Sequence, residues 1–469
     1  MIPVTAFAGR AVAVFGLART GIATARALAA GGAKVLAWDD NADTRAVAER
    51  AGVPLVDLNR RDWGDIAALV LSPGVPLHHP RPHRMVELAR AVGAPVIGDM
   101  ELFAMEANKV DNVRVVGITG TNGKSTTTAL IGHILKTAGL DVRVGGNIGE
   151  AVLSLAPPRP GAIYVLELSS YQLDLVERLH CDVAVFLNIT PDHIDRHGSL
   201  ENYVAAKRRI FATQSDEDTA VIGVDDEITK KVFSEMRASG AQHVVPVSAR
   251  KVISRGVYVL GGTLYDALDG KAKPGADLSR AIALPGRHNA QNAAAAYAAV
   301  RRLGVSAEDA AIGMESFPGL PHRQERVGQV GSVVFINDSK ATNADAAAQA
   351  LGCYEDIFWI AGGQAKEGGV KSLEPYFGRI RRAYLIGQDA DLIARQLKGK
   401  VDVVQAGNLH TATARAAKDA VESGADNPVV LLSPACASFD QFRSYEHRGD
   451  SFRIAVTDLI AKARGGNAA

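Results

Sequence analysis

Val113-Arg114-Val115-Val116-Gly117-Ile118-Thr119 runs directly into Gly120-Thr121-Asn122-Gly123-Lys124-Ser125, an apolar stretch that breaks into a glycine-bounded polar turn. Beyond it Leu130, Ile131, Ile134 and Leu135 recur at helical spacing, so the segment reads as strand, loop and helix. In that setting the glycines let backbone N–H groups turn inward around phosphate oxygens, and the helix start adds partial positive charge. Lys124 can neutralise the outer phosphates and the Ser125 hydroxyl can reach Mg²⁺. The strict G-x-x-x-x-G-K-[ST] spacing is not met, because position 118 is Ile; the first glycine is displaced to Gly120. The competing reading, a glycine turn that merely caps a helix, makes the lysine and serine accidental. An ATP-binding phosphate loop made of Gly120, Thr121, Asn122, Gly123, Lys124 and Ser125 is therefore expected.

Upstream, residues 11–15 form an apolar run, Gly16 and Gly21 mark a turn, and an alanine-rich helix to about Ala30 stops at Gly31-Gly32 before a second strand ending at Asp39-Asp40. This βαβ unit carries G-x-A-x-x-G, with Ala18 where the dinucleotide fingerprint has its second glycine. A strand at 67–71 ends in Ser72-Pro73-Gly74-Val75-Pro76, a rigid turn able to line a cleft or simply to reverse the chain. The first alternation closes near Gly98-Asp99-Met100-Glu101-Leu102, and a second boundary is expected near Phe317-Pro318-Gly319-Leu320-Pro321, between the alanine run 293–299 and a strand at 333–336. Further strands are expected at 358–361, 383–386, 401–404 and 429–432. The fold class is α/β with three domains: 1–104 Rossmann-like, 105–320 a central P-loop body with a mostly parallel sheet, and 321–469 Rossmann-like again. No short-period repeat is found, and the tail Gly465-Gly466-Asn467-Ala468-Ala469 is expected to fray.

A chain of 469 residues also suits about three domains at roughly 150 residues each. With 52 basic against 51 acidic residues the formal charge is +1, so no long-range field draws the protein toward nucleic acid or an anionic membrane. Cys181, Cys353 and Cys436 are odd in number and outside any CxxC spacing, which points to a reducing compartment rather than a disulfide framework or zinc site. The apolar run 11–18 lacks a basic leader region, and no stretch approaches the ~20 apolar residues of a membrane span. A cytoplasmic protein is expected.

Downstream of the loop, Ile163-Tyr164-Val165-Leu166 delivers Glu167 to a strand end, where a carboxylate can hold Mg²⁺ or simply close an ion pair. The next strand runs into Asn188-Ile189-Thr190-Pro191-Asp192-His193-Ile194-Asp195-Arg196-His197, a run dense in potential ligands, in which His193 is read as functional. By pattern alone Lys207 lies on a solvated helix face. Asn108-Lys109-Val110-Asp111 matches a guanine-reading string but precedes the phosphate loop, so it is read as coincidence.

Taken together, residues 120–125, Glu167-Leu168-Ser169-Ser170-Tyr171-Gln172-Leu173, residues 188–197, Ala206-Lys207, Leu284-Pro285-Gly286-Arg287-His288-Asn289-Ala290-Gln291-Asn292 and Asn337-Asp338-Ser339-Lys340-Ala341-Thr342-Asn343 resemble the Mur ligase family. These are cytoplasmic amide ligases of peptidoglycan precursor synthesis, and the resemblance spans essentially the whole chain. Residues 16–21, 72–76, 98–103 and 432–442 resemble most the members that join D-glutamate to UDP-N-acetylmuramoyl-L-alanine. The resemblance implies that the alanyl carboxylate attacks the γ-phosphate of ATP, giving an acyl phosphate and ADP, after which the amine of D-glutamate displaces phosphate. It implies that Thr126 joins the phosphate loop, that Ser125 and Glu167 hold one magnesium and His193 a second, and that Lys207 is N-carboxylated (N6-carboxylysine). It places Asn147 and Ser169 on the muramoyl substrate, Asn289 and Asn292 on the adenine and ribose side, Arg323 toward phosphate and Asp338 toward ribose. The uridine diphosphate half is expected over Arg19 and Thr20, with Asp39 near uracil and ribose and with Ser72 and Gly74 alongside; Asp40 and Asn41 depart from the family's usual Thr/Ser-Arg. D-Glutamate is assigned Thr342, Lys366, Ser438, Phe439 and Tyr445, the last standing where the family commonly has Phe. In Asp426-Asn427-Pro428-Val429 no arginine follows the proline, which favours D-glutamate over diaminopimelate or lysine. A monomer that closes its domains on small-molecule substrates is expected.

Three rival readings are separable. A folylpolyglutamate synthase-like ligase shares the loop and the modified lysine but has no use for residues 1–100. A nicotinamide-dependent dehydrogenase built on residues 16–21 leaves the phosphate loop without a task. The third is a non-enzymatic ATP-dependent scaffold, which product formation distinguishes.

Overall fold

The computed structural model describes residues 1–466, so the end of the low-complexity tail, 467–469, lies outside the described residues. Two compact units emerge: Met1–Arg280 with Asn289–Phe317, and Ala281–His288 with the chain from Pro318 onward.

The first unit holds two sheets. One is β1 (Ala11–Phe15), β2 (Lys34–Trp38), β3 (Ile66–Leu71) and β4 (Val96–Ile97), all parallel in the order β2-β1-β3-β4. β1 is buried along its whole length, as a strand covered on both faces requires. Because β2 and β3 flank β1 on opposite sides, the order reverses there, and a crevice opens beyond the strands' carboxyl ends. Gly21, read from sequence as part of the turn, instead lies in the first turn of the helix Arg19–Ala30. A Cβ there would sit 1.8 Å from the Gly16 carbonyl oxygen, so only glycine lets the helix start against the loop it leaves.

The other sheet has nine strands: β5 (Arg114–Thr119), β6 (Val142–Gly146), β7 (Ile163–Glu167), β8 (Val183–Phe186), β9 (Thr219–Gly223), β10 (His243–Ser248), β11 (Val257–Leu260), β12 (Thr263–Asp266) and β13 (Lys273–Asp277). Their order is β13-β12-β11-β10-β9-β8-β5-β7-β6, parallel from β6 to β11 and antiparallel through β12 and β13. β13, at one edge, carries Lys273 and Pro274 in exposed positions. The helix Lys124–Thr137 buries Leu130, Ile131, Ile134 and Leu135, the face expected from their spacing. The expected alanine run lies within the helix Gly286–Arg302. The helix Asp99–Ala107 lies between the two sheets and buries almost every side chain; its Phe103 ring meets Tyr164 of β7 at 4.9 Å. One continuous apolar core therefore runs from β1 to β9, which explains why both sheets form a single unit.

The second unit contains β14 (Glu325–Val330), β15 (Val333–Asn337), β16 (Ile357–Gly362), β17 (Gln364–Ala365), β18 (Ile380–Ile386), β19 (Val403–Gly407), β20 (Val429–Leu432) and β21 (Cys436–Ala437). Six of them form a sheet ordered β14-β15-β20-β16-β18-β19, parallel except for β14, while β17 and β21 make a small antiparallel pair. Apolar clusters cover both faces, and the buried Trp359 indole N–H donates to the Ser433 carbonyl at 2.8 Å.

Candidate active site

Three adjacent strands, β7, β5 and β8, end side by side, so the segments leaving them converge on one edge. After β5, the loop turns through Gly120 (φ 147°) and Gly123 (φ 84°) before the helix at Lys124. A Cβ on Gly123 would fall 2.2 Å from Oδ1 of Asn292, which is buried and whose Nδ2 donates to Asn289 Oδ1 at 3.1 Å. This brings both asparagines to the phosphate loop. From the end of β8, Asn188 grips the loop: its Oδ1 accepts from Asn122 N–H (2.9 Å), its carbonyl accepts from Thr121 N–H (2.8 Å), and its Nδ2 donates to the Asn122 carbonyl (3.1 Å). Lys124 Nζ curls back over the loop, donating to the carbonyls of Gly120 (3.0 Å) and Thr121 (2.8 Å). Ser125 is buried and Thr126 follows it into the same first helical turn.

Glu167 closes β7 and is 2 % exposed. Oε1 accepts from Asn147 Nδ2 at 2.7 Å, whereas Oε2 is buried without a partner. Leaving a buried carboxylate oxygen unpaired costs stability, and a hard cation bound by oxygen ligands would remove that cost. The donor set thus fits magnesium. Lys207 is also 2 % exposed, contrary to the solvated face its pattern suggests: the helix Leu200–Arg208 turns it inward, where Nζ donates to Gly120 O (2.9 Å) and Thr119 Oγ1 (3.3 Å). Burial first, and then the charge of Lys124, hold its pKa well below the usual lysine range, which favours a neutral amine with an available lone pair.

His193 has backbone φ 53°, in the left-handed region, and a half-exposed ring lying 5.0 Å from that of Tyr171 and 3.4 Å from Asp192. Burial lowers its pKa against the opposing pull of Asp192. His197 is buried, with Nε2 2.9 Å from Ser170 Oγ, and burial pushes its pKa down to about 4. Ser169 caps the helix Ser170–Leu173, its hydroxyl accepting from Gln172 N–H in a capping box.

At the carboxyl ends of β1 and β3 lies a cleft of about 350 Å³. Arg19, Thr20, Asp39, Ser72, Gly74 and Asn147 line it, as does Ala18 at the helix start, where no side chain caps the N–H groups. Open N–H groups at a helix start favour an anion such as a pyrophosphate. Asp39 braces the rim, its carboxylate accepting from Leu17 N–H (2.7 Å) and Asn41 N–H (2.8 Å). Gly16, Pro73 and Val75, from the two turns noted in the sequence, complete the lining together with Gln172 of the 167–173 motif and Gly146, which sequence reasoning misses. The glycine pair Gly145-Gly146 beside Asn147 is the available signal for Gly146; Gln172 and Asn188 lie within the 167–173 and 188–197 motifs, which assign neither of them its own task.

In the second unit, Asp338 follows β15 and is buried, accepting from Ser433 Oγ (2.8 Å) and Gln324 N–H (3.2 Å); burial pushes its pKa up to about 7. Arg323 is half-buried just before β14. Thr342 lies near the start of the helix Ala344–Leu351, and the Tyr445 ring sits 4.0 Å beneath Lys340 Nζ. Lys366 is exposed beyond β17, while Ser438 is buried and Phe439 is 70 % exposed beyond β21. The antiparallel pairing sets Lys366 and Ser438 at opposite ends of that ladder rather than side by side.

The chain is 57 % identical over 462 residues to UDP-N-acetylmuramoylalanine--D-glutamate ligase of Phenylobacterium zucineum (strain HLK1), covering 98 % of each. It is 55 % identical over 472 residues to the protein of the same name from Caulobacter vibrioides (strain NA1000 / CB15N), covering 100 % of each. The chain belongs to the Mur ligase family. The Mur ligase middle domain matches residues 118–300, which takes in the phosphate loop, Glu167, His193, Lys207 and both asparagines. The Mur ligase glutamate ligase domain matches 322–436, which includes Arg323, Asp338, Thr342 and Lys366 but stops short of Ser438, Phe439 and Tyr445. Among solved Mur ligases, UDP-N-acetylmuramate-alanine ligase from Thermotoga maritima shares the fold at TM-score 0.58 and 18 % identity, over 96 % of this chain and 99 % of that one. A pseudomurein peptide ligase type C from Methanothermus fervidus does so at 0.55 and 18 %, over 96 % and 100 %. No helix among the described residues of this Mur ligase is long and apolar enough to cross a membrane.

Proposed function

We propose that this Mur ligase joins D-glutamate to UDP-N-acetylmuramoyl-L-alanine at the expense of ATP, in the cytoplasm and as a monomer, with 1–104, 105–320 and 321–469 as its three domains. The observation that carries the reading is the 2.7 Å hydrogen bond from Asn147, which lines the cleft, to Glu167 at the phosphate-loop edge. One amide therefore spans the distance between a sugar-nucleotide anion and the groups suited to a triphosphate.

A carboxylate is a poor electrophile, so its oxygen first attacks the γ-phosphorus, giving acyl phosphate and ADP; the amine of D-glutamate then adds to the acyl carbon and expels inorganic phosphate. Because anions crowd together throughout, the protein's main task is alignment and positive charge. Magnesium, when bound, would supply cationic charge that offsets the phosphates. Ser125 and Glu167 would hold one ion and His193 would help to hold a second. Lys124 neutralises the outer phosphates, and the loop amides fixed by Asn188 orient them. The amine of Lys207, whose proton affinity burial lowers, would add CO₂ with loss of a proton to give N6-carboxylysine, an anion suited to positioning a metal ion. The N–H groups at the start of the helix Arg19–Ala30 take the pyrophosphate, with Asp39 toward uridine and Ser72, Gly74, Asn147 and Ser169 toward the sugar and its peptide. Asn289 and Asn292 face the nucleoside, Arg323 is assigned to phosphate and Asp338 to ribose, and Thr342, Lys366, Ser438, Phe439 and Tyr445 take D-glutamate.

The test measures ATP-dependent phosphate release with UDP-N-acetylmuramoyl-L-alanine while D-glutamate, L-glutamate, diaminopimelate and L-alanine are offered in parallel. Release with D-glutamate alone is expected; equal release with another acceptor, or none with any, sinks the assignment.

A further inference from the structure

A left-handed backbone at a histidine is costly and persists only where the surroundings over-determine it. His193 has φ 53° and opens the helix Ile194–His197, a single turn too short to hold its own shape. What holds it is tertiary. At one end His197 is buried against Ser170 Oγ (2.9 Å), and its carbonyl accepts from Asn202 Nδ2 (2.9 Å); both anchors belong to the body of the nine-stranded sheet.

Arg196 reaches the other way. Its guanidinium donates to the Gly74 carbonyl at 2.8 Å, in the turn after β3 that lines the cleft. The same guanidinium lies 4.8 Å over the Tyr171 ring, which in turn packs 5.0 Å from the His193 ring. A second contact joins the same segments: a Cβ on Gly198 would meet the His79 ring at 2.7 Å. The turn that meets the sugar nucleotide and the strained histidine thus share one planar cation.

We infer that Arg196 is a positioning residue that fixes His193 through Gly74 and Tyr171, so that filling the cleft adjusts the site at His193. The inference rests on the ligase reading above. A planar fork donates to the carbonyl while covering the ring, whereas a lysine ammonium makes one contact at a time, so Arg196→Lys retains only part of the effect.

The experiment uses full-length protein carrying Arg196→Ala or Arg196→Lys. It measures kcat and KM, and it measures the affinity for a non-hydrolysable ATP analogue with and without UDP-N-acetylmuramoyl-L-alanine. Arg196→Ala is expected to lower kcat about tenfold or more, as a displaced reacting group does, with precursor affinity changed less than about threefold. The factor by which the precursor alters analogue affinity should collapse toward one, and Arg196→Lys should recover part of both losses. A kcat within about twofold of the unaltered protein in Arg196→Ala overturns the inference, as does a coupling factor that survives. Should Arg196→Ala misfold, the lysine variant decides by the same two measurements. Absence of ligation by the unaltered protein would instead overturn the functional reading itself.

Discussion

Replacing Gly123 by alanine tests the phosphate loop at a point where the structure fixes the expected magnitude. The residue sits at φ 84°, where an L side chain costs about 1–2 kcal/mol. The new Cβ would also lie 2.2 Å from Asn292 Oδ1 and 3.0 Å from its Cγ. Asn292 is 2 % exposed, so its amide must rotate and give up the bond to Asn289, worth about 1 kcal/mol. The total is about 2–3 kcal/mol, or a fall in melting temperature of about 4–6 °C at ~2 °C per kcal/mol. Gly240 supplies the control, because it has φ 68° with nothing within 4 Å of an added Cβ, so Gly240→Ala should show the backbone cost alone. Melting curves of both variants, with calorimetric titration of ATP and magnesium, form the assay. Gly123→Ala should be the less stable and bind nucleotide about tenfold more weakly, a loss of about 1.4 kcal/mol. Equal stabilities of the two variants, or full nucleotide affinity in Gly123→Ala, would refute the reasoning.

Lys124→Ala should abolish ATP-dependent phosphate release while leaving the circular dichroism spectrum unchanged; residual turnover would remove Lys124 from the mechanism. Lys207→Ala should lose activity and regain part of it with added short-chain carboxylic acids, whose anion stands in for the carbamate; if no acid restores turnover, the carboxylated lysine is wrong. Asp338 has its folded pKa raised to about 7 against an ordinary value of 3.8, so the native state holds the proton more tightly than the unfolded chain. Its contribution is complete below about pH 4 and is lost as pH rises through about 7. Asp338→Asn should therefore gain stability at pH 8 relative to the unaltered protein and match it near pH 4; parallel stability curves would contradict this.

Much of the scaffold is legible because local pattern and tertiary demand agree. β1, the helix Arg19–Ala30, β5 and the apolar face at Leu130, Ile131, Ile134 and Leu135 follow from periodicity and glycine placement alone. The antiparallel additions β12, β13 and β14 are not legible in this way, since pairing direction depends on partners distant in the chain. Lys207 shows the same limit at the site. Its sequence neighbours Arg208 and Arg209 give the helix a charged look, and only the approach of Gly120 and Thr119 turns that lysine into a buried amine. Asn188 and Gln172 fall within motifs the sequence singles out, yet their particular tasks, gripping a loop and flooring a cleft, exist only once separate strands end together.

The margin of the nine-stranded sheet has a bearing on how copies of this chain coexist. A free strand normally offers a row of N–H and C=O groups to any passing chain. In β13, Pro274 cannot donate, Lys273 brings charge, and the register slips between Leu264 and Tyr265 on the adjoining strand. Substituting Pro274 with valine would restore one N–H donor there while Lys273 and the slip remain, so the border would lose one of three safeguards against stacking between molecules.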